Sequence, residues 1–182
     1  MSAIEDDALL VLLNDPDTVQ SGFRVLVQTY SQQMYWQIRK LVISHEDADD
    51  VLQLVFIKVF KGIKNFKGES KLSTWLYRIC YNESMTFLGK KAKRFQISDG
   101  ELLNRLTENL ESDVYFEGSE IELQLQKALV QLPDRQREIF NMRYYDDLMF
   151  KDIAVILELS EGAVKSSYHL AAKKIKSYLV ED

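Results

Sequence analysis

Proline and glycine are scarce in this chain, at 2 and 7 of 182 residues. So few chain breakers, with apolar residues recurring at helical rather than alternating intervals, argue for an almost wholly helical protein. The fold class expected is all-α. A single cysteine, Cys80, excludes an internal disulfide and any cysteine-rich zinc site. It sits in an apolar helical run and reads as a small buried hydrophobe. The two histidines, His45 and His169, lie far apart without ligand-like spacing. Asp47, Asp49 and Asp50 are close together, but neighbouring acids on a helix diverge, so no metal or other cofactor is expected. No apolar run approaches the roughly 20 residues that a membrane span needs. Met1 is followed by acidic residues instead of a basic and apolar leader, so a cytoplasmic protein without membrane insertion is expected. There is no nucleophile–base pair, Gly-rich phosphate loop or metal-ligand motif, and hence no sign of an enzyme.

What is present is charge in blocks. The net charge of −5, taken alone, argues against a nucleic-acid partner. The distribution of charge argues the other way. From Lys61 to Arg94 basic residues greatly outnumber Glu69 and Glu83, and from Lys165 to Lys176 there is no acid at all. Acid is concentrated at Glu5 to Asp17, at Glu46 to Asp50, and from Asp99 to Glu122. Two basic segments separated by an acidic one are concealed by the whole-chain balance. A hydrophobic content of 46% supplies packed cores, and the length suits one medium domain or two small ones.

Residues 1–43 read as two helices, the first near Ile4 to Leu13, ending at Asn14-Asp15-Pro16-Asp17. The second starts around Thr18 and carries Phe23, Val27, Tyr30, Met34, Ile38 and Leu41. Ser44 is placed to cap the next helix, Glu46 to Gly62, whose early acids favour the helix dipole. On this helix Leu52, Val55, Phe56, Val59 and Ile63 recur as one buried face. Leu54 and Ile57 lie opposite, beside Asp50 and Lys61, and apolar residues set among charges suit a partner surface or another helix of the same chain.

Between Asn65 and Lys71 the chain has Gly68 for a turn, with Lys64, Lys67 and Lys71 around it. Ser70 or Ser73 is placed to cap the following helix, which carries Trp75, Tyr77, Arg78, Tyr81 and Asn82. Aromatics interleaved with cations and an amide fit unstacked bases: rings stack, amides pair with base edges, and Lys and Arg hold phosphates. Trp75 reads more readily as core than as part of that surface. The helix ends in the basic run Lys90, Lys91, Lys93 and Arg94.

Residues 96–122 have few apolar repeats and many acids, opposed only by Arg105, and read as a flexible linker with short helical pieces around Leu102 to Leu110. Beyond it, a helix through Leu125, Leu129 and Leu132 stops at Pro133, and a second runs from Asp134 through Ile139, Phe140 and Arg143. A short helix, Phe150 to Leu157, turns at Leu159-Ser160-Glu161-Gly162 into a long basic one reaching Leu179. Short helix, tight capped turn and longer helix form a helix-turn-helix arrangement. In the last helix Val164, Tyr168, Ala171, Ile175 and Tyr178 make the inward stripe; Lys165, Ser166, His169, Lys173 and Lys176 make the outward one.

These two stretches carry a resemblance to a known family. DADDVLQLVFIKVF resembles the helix by which extracytoplasmic-function (group 4) sigma-70 factors bind the clamp of core RNA polymerase, and FKGESKLSTWLYRICYN resembles the loop and helix that open and read the −10 promoter element. LPDRQREIFNMRYYDDLMFKDIAVILELSEGAVKSSYHLAAKKIKSYL resembles region 4 of the same group, which reads the −35 element. Leu54 stands where the family usually has Glu after Gln, and Ser167 where many members have Arg. The resemblance implies two helical domains, 1–95 (region 2-like) and 123–182 (region 4-like), joined by an acidic linker at 96–122. It implies core polymerase binding at Asp50, Gln53, Leu54 and Ile57. Binding of −10 DNA falls to Phe66, Lys67, Lys71, Arg78, Asn82, Lys90 and Lys91, and of −35 DNA to Lys165, Ser166, His169, Lys173 and Lys176. Core RNA polymerase and promoter DNA are the implied partners, and the family's common anti-sigma factor is a candidate third. The competing reading is a helix-turn-helix regulator whose first domain binds a partner or ligand. It is weakened by residues 47–94, because an effector domain needs no basic, aromatic loop-helix.

Overall fold

The structure, a computed structural model, describes residues 3–108 and 120–181. Among the described residues every regular element is helical, and no helix is long and apolar enough to cross a membrane. The chain divides into two compact units, Met1–Leu88 and Gly89–Asp182.

The first unit contains α1 (Ala3–Asn14), α2 (Val19–Val42), α3 (His45–Gly62) and most of α4 (Leu72–Phe95), with a 3₁₀ turn at Ile63–Asn65. The α1–α2 corner is tied by Thr18, whose Oγ1 donates to the Leu12 carbonyl at 2.9 Å. Tyr30 Oη donates to Asp6 Oδ1 at 2.6 Å, joining the two helices again further along. Between α2 and α3 the chain reverses at Ile43, whose φ of 67° is costly for a β-branched residue. Ser44 then caps α3, accepting from Asp47 N at 3.4 Å, as its position in the sequence predicts. The Glu46 backbone N–H and the Ser44 hydroxyl hold the Glu46 carboxyl below its usual range, where a helix N-terminus favours an anion.

The buried face of α3 is rotated slightly from the expected one. Val51, Val55, Val59 and Ile63 are fully enclosed, whereas Leu52 and Phe56 are only half-buried. Phe56 and Phe60 both meet the ring of Phe23 on α2 edge-on, at 6.3 and 4.9 Å, which draws them to the flank of the helix.

The second unit holds the last turn of α4 with α5 (Asp99–Glu108), α6 (Glu120–Val130), α7 (Asp134–Tyr144), α8 (Phe150–Leu157) and α9 (Glu161–Glu181). Helix α5 lies inside the stretch expected as linker, and it packs on α6 with Leu102, Leu103 and Thr107 buried. Residues 109–119 of that stretch lie outside the described residues. The core of the unit joins Ala128, Leu129 and Leu132 to Phe140 of α7 and to Ala171 and Ile175 of α9. Tyr145 packs against this cluster. Burial, with Tyr144 and Glu122 adding to it, pushes its phenol up to about 12, so the ring stays neutral and accepts from Gln126 at 3.3 Å.

The closeness of α1 to α2 rests on Gly22, where an added Cβ would lie 2.9 Å from Leu12 Cβ and 3.0 Å from the Leu12 carbonyl carbon. Gly22→Ala should therefore destabilise the first unit by about 1–3 kcal/mol, as overpacking does. Gly89→Ala, where an added Cβ meets nothing within 4 Å, should stabilise by about 0.5–1 kcal/mol through helix propensity. Urea titration of both variants checks the pair; equal effects of the same sign would show that Gly22 is not a packing constraint.

Candidate nucleic-acid interface

Helix α3 ends where α4 comes closest to it. Lys58, Lys61, Gly62 and Asn65 follow one another at i, i+3, i+4 and i+7, along one side of the end of α3 and the turn after it. Trp75, Ile79, Asn82 and Glu83 do the same on α4 at i, i+4, i+7 and i+8. These eight residues line a cleft of about 530 Å³, within the roughly 300–1,000 Å³ of small-ligand sites. The Trp75 indole lies against Gly62: a Cβ there would sit 3.4 Å from Trp75 Cζ2, an ordinary van der Waals contact. Phe66 leans on the same indole with ring centroids 5.3 Å apart. Glu83 forms an ion pair with Lys58 between the two helices.

Trp75 is therefore half-buried and lines the cleft instead of filling the core. The expectation for its neighbours also needs correcting. Tyr77 and Tyr81 are 2% and 9% exposed and face the interior, so neither ring is available to stack on a base. They fall a hundred degrees or more of helix rotation from the Trp75–Ile79–Asn82 side, and that rotation decides the matter. Neither serine sits at the cap: α4 begins at Leu72, which puts Ser73 inside the helix, while the Ser70 hydroxyl points to the Lys71 carbonyl at 3.4 Å. Gly68 makes the expected turn, with a φ of 71°.

The residues singled out for −10 DNA are brought to this neighbourhood in part. Phe66 and Asn82 adjoin the cleft. Lys67 and Lys71 are exposed on the loop before α4, Arg78 is exposed one turn before Asn82, and Lys90 is exposed towards the helix end. Lys91 is half-buried. Lys58, Asn65 and Glu83 escaped the sequence reading, because their role depends on which helices meet.

Next to the cleft side of α3, with Lys61 one turn after Ile57, Asp50, Gln53, Leu54 and Ile57 are exposed together at i, i+3, i+4 and i+7. Leu54 and Ile57 are 46% and 51% exposed, and Phe60 extends the apolar line at 45%.

In the second unit, Ser160 Oγ accepts from Ala163 N at 3.2 Å and starts α9 as expected. Helix α8 ends at Glu158 in the left-handed conformation, which turns the chain into α9. Val164, Ala171 and Ile175 are buried, and Tyr168 stacks on Phe140 at 5.7 Å. Lys165, Ser166, His169, Lys173 and Lys176 are all exposed on the opposite stripe, with Lys165 tethered to Glu161 at 2.6 Å. Asp147 supports the entry to α8: at φ 49° it turns the chain and pairs with Arg143, which also lies over the Phe150 ring at 5.5 Å.

A cation-flanked cleft in one helical unit and a helix-turn-helix in the other define a DNA-binding protein of transcription. Residues 26–94 match the family described as sigma-70 region 2, and residues 122–175 match sigma-70, region 4. The chain is 27% identical over 168 residues to the ECF RNA polymerase sigma factor SigW of Bacillus subtilis (strain 168), covering 88% of this chain and 90% of that one. In fold it is similar to CnrH, solved in complex with the cytosolic domain of CnrY, with a TM-score of 0.71 at 21% identity, over 100% of this chain and 99% of that one. It is also similar to the sigma factor RpoE of Bartonella quintana, solved with the anti-sigma factor NepR, with a TM-score of 0.67 at 20% identity, over 88% and 98% of the two chains. The chain belongs to the sigma-70 family and is an RNA polymerase sigma factor of the extracytoplasmic-function type.

At Gly62 a Cβ would only touch the Trp75 indole, whereas the methyls of a β-branched side chain reach further. Gly62→Val should displace the Trp75 indole and cost about 1–3 kcal/mol. In a Trp36→Phe background, which leaves Trp75 as the only one of the two tryptophans, acrylamide quenching of fluorescence should increase. Unchanged quenching would show that the indole does not rest against residue 62.

Proposed function

We propose that this sigma factor binds core RNA polymerase through the exposed face of α3, at Asp50, Gln53, Leu54 and Ile57. Residues 1–95 form the domain that docks on polymerase and reads the −10 element, 96–122 the acidic linker, and 123–182 the domain that reads the −35 element. The chain does no bond-making chemistry of its own: it is a binding subunit acting in the cytoplasm, where polymerase works. The observation that carries the reading is the cleft between α3 and α4. It combines an indole and an apolar wall for stacking, two amides for a base edge, and lysines for the backbone. A duplex offers no free base face, so such a cleft serves strand opening and not the binding of closed DNA.

Promoter opening then assigns each group a part. Lys67 and Lys71 hold phosphates of the separated strand, Phe66 and Trp75 supply rings, Asn82 pairs with a base edge, and Arg78, Lys90 and Lys91 extend the cationic track. On α9, Lys165, Ser166 and His169 near the helix start reach base edges in the major groove, while Lys173 and Lys176 meet phosphates. An anti-sigma factor is a further partner of this reading, supported by the fold's similarity to a sigma factor solved with one. Its natural targets are the exposed apolar residues of α3 and the basic surfaces.

Run-off transcription with purified core polymerase tests the whole reading: a promoter-dependent transcript is expected, and a helix-turn-helix regulator would give none. Leu54→Lys should weaken core binding by about 1–3 kcal/mol, the range of an interface anchor, with circular dichroism unchanged. Unaltered affinity for core would remove this face from the interface. Asn82→Ala should relax discrimination at one base, worth about 1–3 kcal/mol. Lys67→Ala should instead weaken binding to every single strand and flatten the salt dependence by about 0.7 in logarithmic slope. If Asn82→Ala were equally harmful on all −10 sequences, Asn82 would hold the strand without reading it.

A further inference from the structure

The cleft contains one group that stacking and phosphate binding leave unused, and that ought to repel nucleic acid. Glu83 directly follows Asn82 and lines the cleft beside it. Its side chain is 10% exposed, whereas its partner Lys58, reaching over from α3, is 57% exposed. The acid is thus the fixed member of the pair and the lysine the solvated one. Lys58 Nζ engages Oε1. An ionised carboxylate has two oxygens and accepts at about four positions, so one cation does not exhaust it. It only accepts.

That one-sidedness matters for base recognition. Cytosine N4 and adenine N6 present exocyclic amines, which donate; thymine O4 and guanine O6 are keto oxygens, which accept. Placed at that position of the base edge, a fixed carboxylate attracts the first pair and repels the second, and the guanine N2 amine lies elsewhere on its edge. Asn65 and Asn82, the two amides of the cleft, do not make this choice, because an amide can turn either its oxygen or its nitrogen to a base. Lys58 also cancels enough of the acid's charge to let an anionic strand approach. Trp75 and Ile79, two turns and one turn before Glu83 on the same side of α4, leave an apolar surface on which the ring of the base lies.

We propose that Glu83, held by Lys58, makes the cleft select unstacked bases with an amine at one edge position, cytosine N4 or adenine N6, over bases with a keto oxygen at that position. The inference rests on the cleft being the site of an unstacked base, as argued under the proposed function. A carboxylate serving only to tie α4 to α3 would stabilise the unit and leave base preference untouched, which separates the two roles.

The test uses holoenzyme assembled from the full chain and core polymerase. Single-stranded DNA is first enriched by the wild-type holoenzyme from a pool randomised over the opened segment. In the selected sequence each cytosine is then replaced by uracil and each adenine by hypoxanthine, one position at a time. Each replacement exchanges the amine for a keto oxygen, puts a proton on the adjacent ring nitrogen, and keeps the outline of the base; the comparison with Glu83→Gln isolates the part that depends on the carboxylate. At one position the swap should weaken wild-type binding about tenfold, the low end of a base contact. In Glu83→Gln, whose amide can serve either partner, the same swap should change affinity by less than about twofold. The readout is a ratio within one protein, so loss of folded or assembled fraction cancels. A preference that survives in Glu83→Gln overturns the proposal, and so does a wild type with no amine-sensitive position. Asn82→Ala, measured on the same strands with all four natural bases, distinguishes the failures. If it still relaxes discrimination at one position, the cleft reads a base and only the role of Glu83 falls; if no substitution changes any base preference, the base-reading cleft falls as well.

Discussion

The cleft of the first unit is set by how α4 meets the end of α3. The Trp75 indole lies against Gly62, and the Lys58–Glu83 pair ties the two helices at a second point. Between the two ties the chain must leave α3, pass the 3₁₀ turn Ile63–Asn65, and re-enter a helix at Leu72. The loop that does so bends at Gly68 and leaves Lys67 and Lys71 exposed ahead of α4. An isolated ion pair such as Lys58–Glu83, with one member largely in water, adds little stability. Its effect is on position: it fixes which side of α4 faces α3.

Helix α3 has two incompatible tasks and separates them by rotation. Val51, Val55 and Val59 remove one side from water, while Leu54, Ile57 and Phe60 leave apolar surface exposed on the other. Scattered exposed apolar residues are ordinary on proteins, whereas these three follow one another at helical spacing on an element otherwise rich in charge, which is the ground for proposing a partner there. The same division recurs on α9, where Val164, Ala171 and Ile175 anchor the helix and the opposite stripe is cationic and polar. A helix can present such a stripe rigidly only if its buried side is fully packed, and stacking of Phe140 on Tyr168 in the first half of α9 supplies that support.

Much of this was legible in the chain as written. The helices, the Ser44 and Ser160 caps, the turn at Gly68, burial of Cys80 and the two stripes of α9 all follow from local rules. So did the exposure of Leu54 and Ile57, since periodicity gives the side of a helix once its buried face is known. The misreadings cluster where a second helix decides. Tyr77 and Tyr81 look like base-stacking rings because composition alone cannot rank aromatic residues on adjoining sides of one helix. Helix α5 falls where short helical pieces are expected within the acidic stretch, and what the sequence leaves open there is its packing on α6, which buries Leu102 and Leu103.

By itself, then, the sequence determined secondary structure, charge blocks, the helix-turn-helix and the family resemblance, all of which arise from residues within a few turns of one another. Tertiary structure alone decided that Lys58 meets Glu83 across 25 positions of chain, that Trp75 edges a cleft instead of filling the core, and that Asn65 belongs to the same site as Asn82. The reason is physical. A helix repeats every 3.6 residues and so announces its own faces, but which faces meet is set by the approach of two helices, and here the Gly62–Trp75 contact and the Lys58–Glu83 pair lie across that approach.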